Sequence, residues 1–581
     1  MQLLSFQKGS RSVFLAFLLL GMMGIFVVRL FYLQIIMHDE YLQQAAAEQI
    51  KPLTIPAKRG LIYAMDGDKP VQIVMNQSVY TLFADPSMVT KPEKVLETVR
   101  RVAGGNLRSN IEALLDKKQT RYQILGTKLT RKQAEMIKKE SLAGIGFQET
   151  SQRVYPEGSL AAQTLGFVNS EGVGQYGVEG ELNERLIGHN GLLKSVTDVS
   201  GVPLTIGRQN INKPAKDGDN LVLTIDRNVQ AYAEKALAAG LKRSGADDGS
   251  VVIMDPQTGK VMAMANLPTY NPAEYGKVTD AAAFNNDVVT KPYEPGSDIK
   301  TFTMAMGIDQ KVIEPESTYT NTDTITVADR TIGNATKGQT GTITMQTALN
   351  YSLNTGVVTV AQRLGDGKTI NTDARKTMFD YFHNKFAFGK RTGIEVAGEQ
   401  PGLIWSPESQ QGNAVRYSNM AFGQGMDLTM IQVASAFSVL VNGGTYYQPT
   451  VINGVMDAGG TVKPEPAKPA RKNVIGADAA EKIHKMIRTA RSTFYAGQDR
   501  KGYDIGGKTG TSQTIENGKY VDNQTIGTYL GYGGDSAPRY VIMVEVSGKG
   551  KNLQGNKDAM PIFTDISNWM IDYLKLQPTG R

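Results

Sequence analysis

Lys291-Pro292-Tyr293-Glu294-Pro295-Gly296-Ser297-Asp298-Ile299-Lys300 reads as turn chemistry running into the start of a helix. Pro295 and Gly296 punctuate the chain, and Thr301 to Ile308 continues as an apolar helical stretch that would be buried. Ser297 then falls at a helix N-terminus, where unsatisfied backbone N–H groups and the positive end of the dipole favour a developing oxyanion. A serine hydroxyl is a weak nucleophile at neutral pH and needs a base within hydrogen-bond reach. Lys300, three residues on, lies one turn along the same face. It can act as that base if its charged form is disfavoured by burial and by a second positive charge nearby.

The S-x-x-K pattern alone is weak, since Ser5-Phe6-Gln7-Lys8 matches it too. Two further motifs give it weight. Ser352-Leu353-Asn354 comes next, and then Lys508-Thr509-Gly510, framed as Gly506-Gly507-Lys508-Thr509-Gly510-Thr511-Ser512. The small residues let a substrate backbone lie close against an edge strand, and Lys508 supplies the second charge. Thr525 to Gly531 and Tyr540 to Val546 read as two more strands behind it. Serine, lysine, serine, asparagine and lysine in this order are the parts of a serine acyl-transfer site that uses lysine in place of histidine. The bland alternatives are that Ser297 merely caps a helix, that Ser352 is a buried hydroxyl, and that Thr509 and Thr511 are ordinary strand residues.

The trio resembles the penicilloyl serine transferases, and its surroundings resemble the class B penicillin-binding proteins, monofunctional peptidoglycan D,D-transpeptidases. Arg59-Gly60-Leu61-Ile62-Tyr63, Arg153-Val154-Tyr155-Pro156 and Gly177-Val178-Glu179-Gly180 are similar to that class's N-terminal boxes. Val222-Leu223-Thr224-Ile225-Asp226 with Gln230 resembles the opening of its catalytic domain, and Val251 to Ala265 resembles the first hairpin of its sheet. Lys390-Arg391-Thr392-Gly393-Ile394, Phe422-Gly423-Gln424-Gly425 and Asn442-Gly443-Gly444 fit downstream. Thr324 to Ile332 and Gly398-Glu399-Gln400-Pro401-Gly402 before Trp405 look more like the division-specific, FtsI-type members than the elongation type.

The resemblance implies an α+β fold: a membrane anchor, an elongated, mostly β N-terminal pedestal, and a transpeptidase domain with a central antiparallel sheet flanked by helices. The expected boundaries are a cytoplasmic tail 1–11, an anchor 12–37, a pedestal 38–218 with a helical head over Lys91 to Ser141, and a catalytic domain 219–581 closed by a helix from Pro561 to Leu576. It implies that Ser297 attacks the carbonyl between two terminal D-alanines with Lys300 as base, and that the N–H groups of Ser297 and Thr511 form the oxyanion hole. Ser352, linked to Lys508, would pass a proton to the departing D-alanine, while Asn354 would hold the substrate amide and orient Lys300. Lys508, Thr509, Gly510 and Thr511 would bind the terminal carboxylate. The implied partners are peptidoglycan stem peptides, lipid-linked precursor polymer, β-lactams, and an FtsW/RodA-type membrane glycosyltransferase with other division proteins. No cofactor is implied.

Two features depart from the pattern or mimic another. Asp298 replaces a small or β-branched residue, and Thr301 stands where proline is common. The acid is expected to raise the pKa of Lys300, so that Asp298→Thr would speed acylation. Glu179-Gly180-Glu181-Leu182-Asn183 matches the E-x-E-L-N element of class A β-lactamases but precedes the nucleophile, so it is expected to be a coincidence and hydrolysis of an acyl-enzyme to be slow. Rival readings are an elongation-type transpeptidase, a D,D-carboxypeptidase, or a catalytically weak division scaffold.

Composition agrees. The 581 residues predict about three folded units, and 41% hydrophobic content suffices for real cores. With no cysteine, disulfide frameworks and thiol chemistry are excluded. His38, His189, His383 and His484 show no ligand spacing, so no metal is expected. A net charge of +7 without basic runs or interleaved aromatics argues against nucleic acid. Ser12 to Val28, then Leu30 to Met37 beyond Arg29, is long enough to span a bilayer as an uncleaved anchor. Lys8 and Arg11 before it, with Asp39 and Glu40 after it, predict a cytoplasmic N-terminus and everything after about Met37 outside; the family resemblance implies a periplasmic catalytic domain on an inner membrane.

Overall fold

In the computed structural model, which describes residues 11–41, 50–196, 211–467, 469–516 and 519–579, the chain divides into two compact units. The smaller comprises residues up to Arg59 together with Ile187–Gly218. Its apolar run is a helix, Arg11–Phe31, continued by a π-helical turn, Tyr32–Ile36. Val13–Ile36 is long and apolar enough to cross a membrane, and its side chains are largely exposed. Arg29, near its far end, lies over the Tyr32 ring at 5.7 Å. A three-stranded antiparallel sheet completes the unit, with Gly191–Val196 between Ile50–Ile55 and Ile211–Lys213. Gly191 to Ile206 alternates in sequence like a strand; a strand is present as far as Val196, and the remainder lies outside the described residues.

The larger unit, Gly60–Leu186 and Asp219–Arg581, holds two sheets that matter for the site. The first takes strands from either side of residue 218. Asn220–Asp226 runs parallel to Ile62–Asp66 and antiparallel to Ile452–Met456, while Lys69–Ala84 pairs with Ile62–Asp66, Gln123–Leu129 and Ile145–Val154. Helices Pro92–Ala103, Ile111–Leu115 and Arg131–Lys139 form a head with its own core, which includes Leu82, Val95, Val99, Leu125 and Ile137.

The second sheet carries the three motifs. Its elements, in chain order, are helix α1 (Arg227–Ser244), strands β1 (Asp248–Met254) and β2 (Val261–Leu267), helices α2 (Lys300–Asp309), α3 (Asn354–Arg363), α4 (Met430–Val441) and α5 (Ala477–Tyr495), strands β3 (Asp504–Glu516), β4 (Lys519–Gly534) and β5 (Pro538–Ser547), and helix α6 (Met560–Tyr573). The strand order is β2-β1-β5-β4-β3, antiparallel throughout, with β3 at an edge. Val251 and Ile253 pack towards α1 and α6, while Val252 and Met254 join the core on the other face, with α2 and α4. A sheet covered on both faces needs strands apolar on both sides, which explains the unbroken Val251-Val252-Ile253-Met254 run. Residues Lys300 to Ile308 of α2 are all buried, as expected for a helix apolar around its circumference.

Candidate active site

Ser297 sits in a single 3-10 turn, Gly296–Ile299, that leads directly into α2, and its side chain is half-buried. The turn is held by backbone contacts that tolerate no side chain. Gly296 has φ of 64°, and a Cβ there would come 2.8 Å from the Thr511 carbonyl oxygen. Its N–H donates to the Gly423 carbonyl at 2.9 Å, and a Cβ on Gly423 would lie 1.9 Å from the Gly296 oxygen. The backbone of β3 and the Phe422-Gly423-Gln424-Gly425 loop thereby clasp the residue before the serine.

Lys300 is 1% exposed. Its Nζ donates to the Ser352 carbonyl at 2.5 Å and to Ser352 Oγ at 3.1 Å. Lys508, also buried, donates from Nζ to the same Oγ at 2.9 Å, to the Thr509 carbonyl at 2.9 Å and to Thr509 Oγ1 at 3.3 Å. One hydroxyl thus joins the two lysines. Burial first, and then the Lys508 charge, push the Lys300 ammonium well below its ordinary range, favouring the free amine. Burial also pushes Lys508 down, against the pull of Asp298.

Ser352 reaches both lysines because of where it ends a helix. Met345–Asn350 stops with Leu353 N–H donating to the Ala348 carbonyl at 2.8 Å and Ser352 N–H to Leu349 at 3.1 Å, a left-handed stop of the Schellman kind in which glycine is usual. Ser352 takes φ of 57° there. A serine held where glycine would be relaxed turns both its carbonyl and its hydroxyl towards the lysines, and the strain is stored at the site itself.

The structure turns Asn354 elsewhere. Its Nδ2 donates to the Gly333 carbonyl at 2.8 Å, on the strand Arg330–Gly333, and it is the Ser352 carbonyl that receives Lys300. Thr511 Oγ1 accepts from Gly555 N–H at 3.2 Å, so the side chain of this residue points away from Lys508 along the strand's other face. Beside Ser352, Lys508 and Thr509, a cleft of about 320 Å³ runs past Tyr351, Tyr495 and Asn556.

Asp298 differs from expectation. Residues two apart on a helical turn point to opposite sides, so the carboxylate does not meet Lys300 at all. It is completely buried; Oδ2 accepts from Thr528 Oγ1 at 2.7 Å, and Lys508 is its charged neighbour. Burial raises the Asp298 carboxyl above its ordinary range, against that hydrogen bond and that charge. The expected increase in Lys300 basicity is therefore replaced by a decrease, for which burial and Lys508 are responsible.

Thr528, Glu294 and Tyr520 escaped the sequence reading. Glu294 accepts from Gly425 N–H at 2.6 Å and from the Tyr520 hydroxyl at 3.2 Å, tying the loop before Ser297 to the β3–β4 hairpin. Burial raises its carboxyl to about 7. An acid immediately before Pro295-Gly296 was the available signal. The E-x-E-L-N element is structural: Glu179 Oε1 lies 2.6 Å from Arg153 Nε, with both side chains buried.

Comparison with known proteins agrees with this architecture. Residues 249–568 match the family described as the penicillin binding protein transpeptidase domain, and residues 54–223 match the penicillin-binding protein dimerisation domain. The chain is 30% identical to stage V sporulation protein D of Bacillus subtilis over 98% of its own length and 86% of that protein's. It is 26% identical to the probable peptidoglycan D,D-transpeptidase PenA of Neisseria gonorrhoeae, covering 97% and 93% of the two chains. Among solved structures, penicillin binding protein 2X from Streptococcus thermophilus shares the fold at a TM-score of 0.72 and 23% identity, covering 90% of this chain and 80% of that one.

Proposed function

The chain belongs to the class B penicillin-binding proteins, serine-type D-Ala-D-Ala transpeptidases that cross-link peptidoglycan, and from that premise we propose that Ser297 is its nucleophile and Lys300 its base. The observation that carries the assignment is the single hydroxyl of Ser352 bridging Lys300 and Lys508 at 3.1 and 2.9 Å. Ser297 Oγ attacks the carbonyl between the two D-alanines as its proton passes to the free amine of Lys300. Ser352 Oγ accepts from both lysines, so both its lone pairs are occupied and its own O–H is left to donate. That proton goes to the departing D-alanine nitrogen, and Ser352 recovers one from Lys300. The ester on Ser297 then yields to an amine of a neighbouring strand.

The oxyanion hole in this reading is the Ser297 and Thr511 N–H pair, supported by the approach of the Gly296 backbone to that of Thr511. Lys508, Thr509, Gly510 and Thr511 take the terminal carboxylate along the free edge of β3, while Asn354, once released from Gly333, holds the substrate amide. The same serine is acylated by β-lactams. A single-pass anchor with its N-terminus cytoplasmic and the catalytic domain periplasmic fits Lys8 and Arg11 on one side and Asp39 and Glu40 on the other. The boundaries adopted are 38–218 for the pedestal and 219–581 for the catalytic domain. The partner is a membrane glycosyltransferase of the FtsW/RodA kind in septal synthesis, met through the exposed apolar anchor.

Fluorescent-penicillin labelling of the purified protein beside Ser297→Ala, with intact-mass analysis, tests the nucleophile. One stable adduct on the parent and none on the variant is expected. An unlabelled parent at forcing concentration overturns the reading in favour of a scaffold.

A further inference from the structure

Asp298 stands out as a buried carboxylate that the mechanism above does not use. Its side chain is fully enclosed, yet Oδ1 makes no hydrogen bond to any described residue, and Thr528 Oγ1 is the one donor to Oδ2. Leaving an acid buried with half its hydrogen-bonding capacity unused costs free energy unless a charge compensates it. The register shows where that charge is. Gly510 is paired with Thr528 across β3 and β4, and a Cβ on Gly510 would fall 2.1 Å from Thr528 Oγ1 and 2.8 Å from Asp298 Oδ2. Asp298 therefore packs directly onto the bare backbone of the K-T-G motif. Lys508, two residues along the same face of the same strand, is the cation beside it.

The other groups around the acid cannot replace that cation. Tyr293, whose buried hydroxyl also lacks a hydrogen bond to any described residue, is raised first by burial and then by the charges of Asp298 and Glu545 of β5. Glu545 is served by Lys291 at 3.9 Å on the far side. Ser512, two residues beyond Gly510 on the same face, is buried and unpaired. Lys300 points away on the opposite side of its helical turn. Lys508 is thus the cation left to balance Asp298, and Asp298 is the anion that acts on Lys508.

We propose that Asp298 is a positioning residue: its buried carboxylate is a built-in counter-charge that keeps the Lys508 ammonium protonated inside a desolvated site, with Thr528 orienting the carboxylate from below. The inference rests on the reading that Lys508 acts as a cation towards Ser352 and the substrate carboxylate. It also gives Asp298 an indirect part in activating the nucleophile. The charge it maintains on Lys508 is one of the two causes that keep Lys300 a free amine. Gly510 then has a second purpose beyond substrate approach, since any side chain there would separate the acid from the strand that bears the lysine.

The test is the pH profile of the second-order acylation rate of the full-length protein in detergent, with a carboxylate-bearing fluorescent penicillin. Asp298→Asn keeps the shape and the acceptor for Thr528 but removes the charge. A neighbouring opposite charge shifts a pKa by about 1–3 units, so the alkaline limb, where Lys508 loses its proton, should move down by about one pH unit. On that limb the variant then acylates about tenfold more slowly than the parent at a given pH. Thr528→Val, which weakens the carboxylate without removing it, should move the limb the same way by less. A merely structural role lowers the rate equally at every pH and leaves the midpoint in place; an unmoved or upward-moved midpoint in both variants overturns the proposal. If the parent takes no label, it is the nucleophile assignment that has failed, and Ser297→Ala separates that case.

Discussion

Replacing Glu179 should destabilise this protein rather than slow its chemistry. Arg153 Nε meets Glu179 Oε1 at 2.6 Å, with the side chains 4% and 0% exposed, and Arg153 Nη1 donates to Asn76 Oδ1 at 2.7 Å. The pair fastens the helix Gly177–Glu181 to strands Lys69–Ala84 and Ile145–Val154. In Glu179→Ala the guanidinium stays buried, with Asn76 its remaining side-chain acceptor among the described residues and Nη2, which makes no hydrogen bond to any of them, still enclosed. Stranding one member of a buried pair costs about 3–5 kcal/mol, whereas replacing both members by apolar residues of similar volume is often neutral or stabilising. Arg153→Met with Glu179→Leu should therefore recover most of the loss.

Thermal unfolding of the parent, Glu179→Ala, Arg153→Met, Glu179→Leu and the double variant gives the coupling energy. For a folded body of this size the single replacement should lower Tm by about 3–5 °C. Release of bound penicillin from the acyl-enzyme, measured in parallel, should stay within about twofold of the parent, because the glutamate is committed to an arginine and not to a water at the ester. A drop below about 2 °C together with a tenfold change in acyl-enzyme hydrolysis would refute the structural reading and revive the β-lactamase-like one.

Two other outcomes follow from the clasp around Ser297. Gly423→Ala combines φ of 85° with a Cβ 1.9 Å from the Gly296 oxygen, so it should displace the nucleophile's turn; acylation should fall at least tenfold, and a parental labelling rate would mean that the loop yields freely. Glu294 has its carboxyl raised from an ordinary 4.5 to about 7, so the folded chain holds a proton there that the unfolded chain has released. Its contribution to stability is accordingly lost as pH rises from 4.5 to about 7 and is constant above that. The Tm difference between parent and Glu294→Gln should decline across that window, and a difference independent of pH would contradict the shift.

Much of this was legible because it is local. The turn at Pro295-Gly296, the buried helix after it, the hairpin around Asp255 to Gly259 and the strands flanking Lys508 depend on neighbours a few residues away. Register was not legible. Asn517-Gly518 between two β-rich runs suggests a two-residue hairpin, and Glu516 does pair with Lys519. Counting back from that pair would set Gly510 opposite Thr525, but an irregularity between Gln513 and Ile515 sets it opposite Thr528. That slip of three decides which side chain receives Asp298. The orientation of Asp298 is illegible for a related reason: adjacency to Ser297 in sequence suggests adjacency to Lys300 in space, although Asp298 and Lys300 point to opposite sides of the helical turn.

The structure also divides the site into a part assembled in advance and a part that substrate must organise. Lys300 and Lys508 already lie within 3.1 Å of Ser352 Oγ, held by a left-handed backbone and by burial, so the proposed return of a proton from Lys300 to Ser352 would need no rearrangement of these groups. Asn354 is different. It gives its amide to Gly333, and a substrate that recruits it must replace a hydrogen bond worth about 1 kcal/mol net. A correct substrate supplies an amide of its own in exchange, so little is lost; a ligand lacking that amide leaves Asn354 where it is. On the proposed role of Asn354, the strand Arg330–Gly333, which lies outside the three motifs, would set a small threshold that distinguishes peptides from ligands that merely acylate.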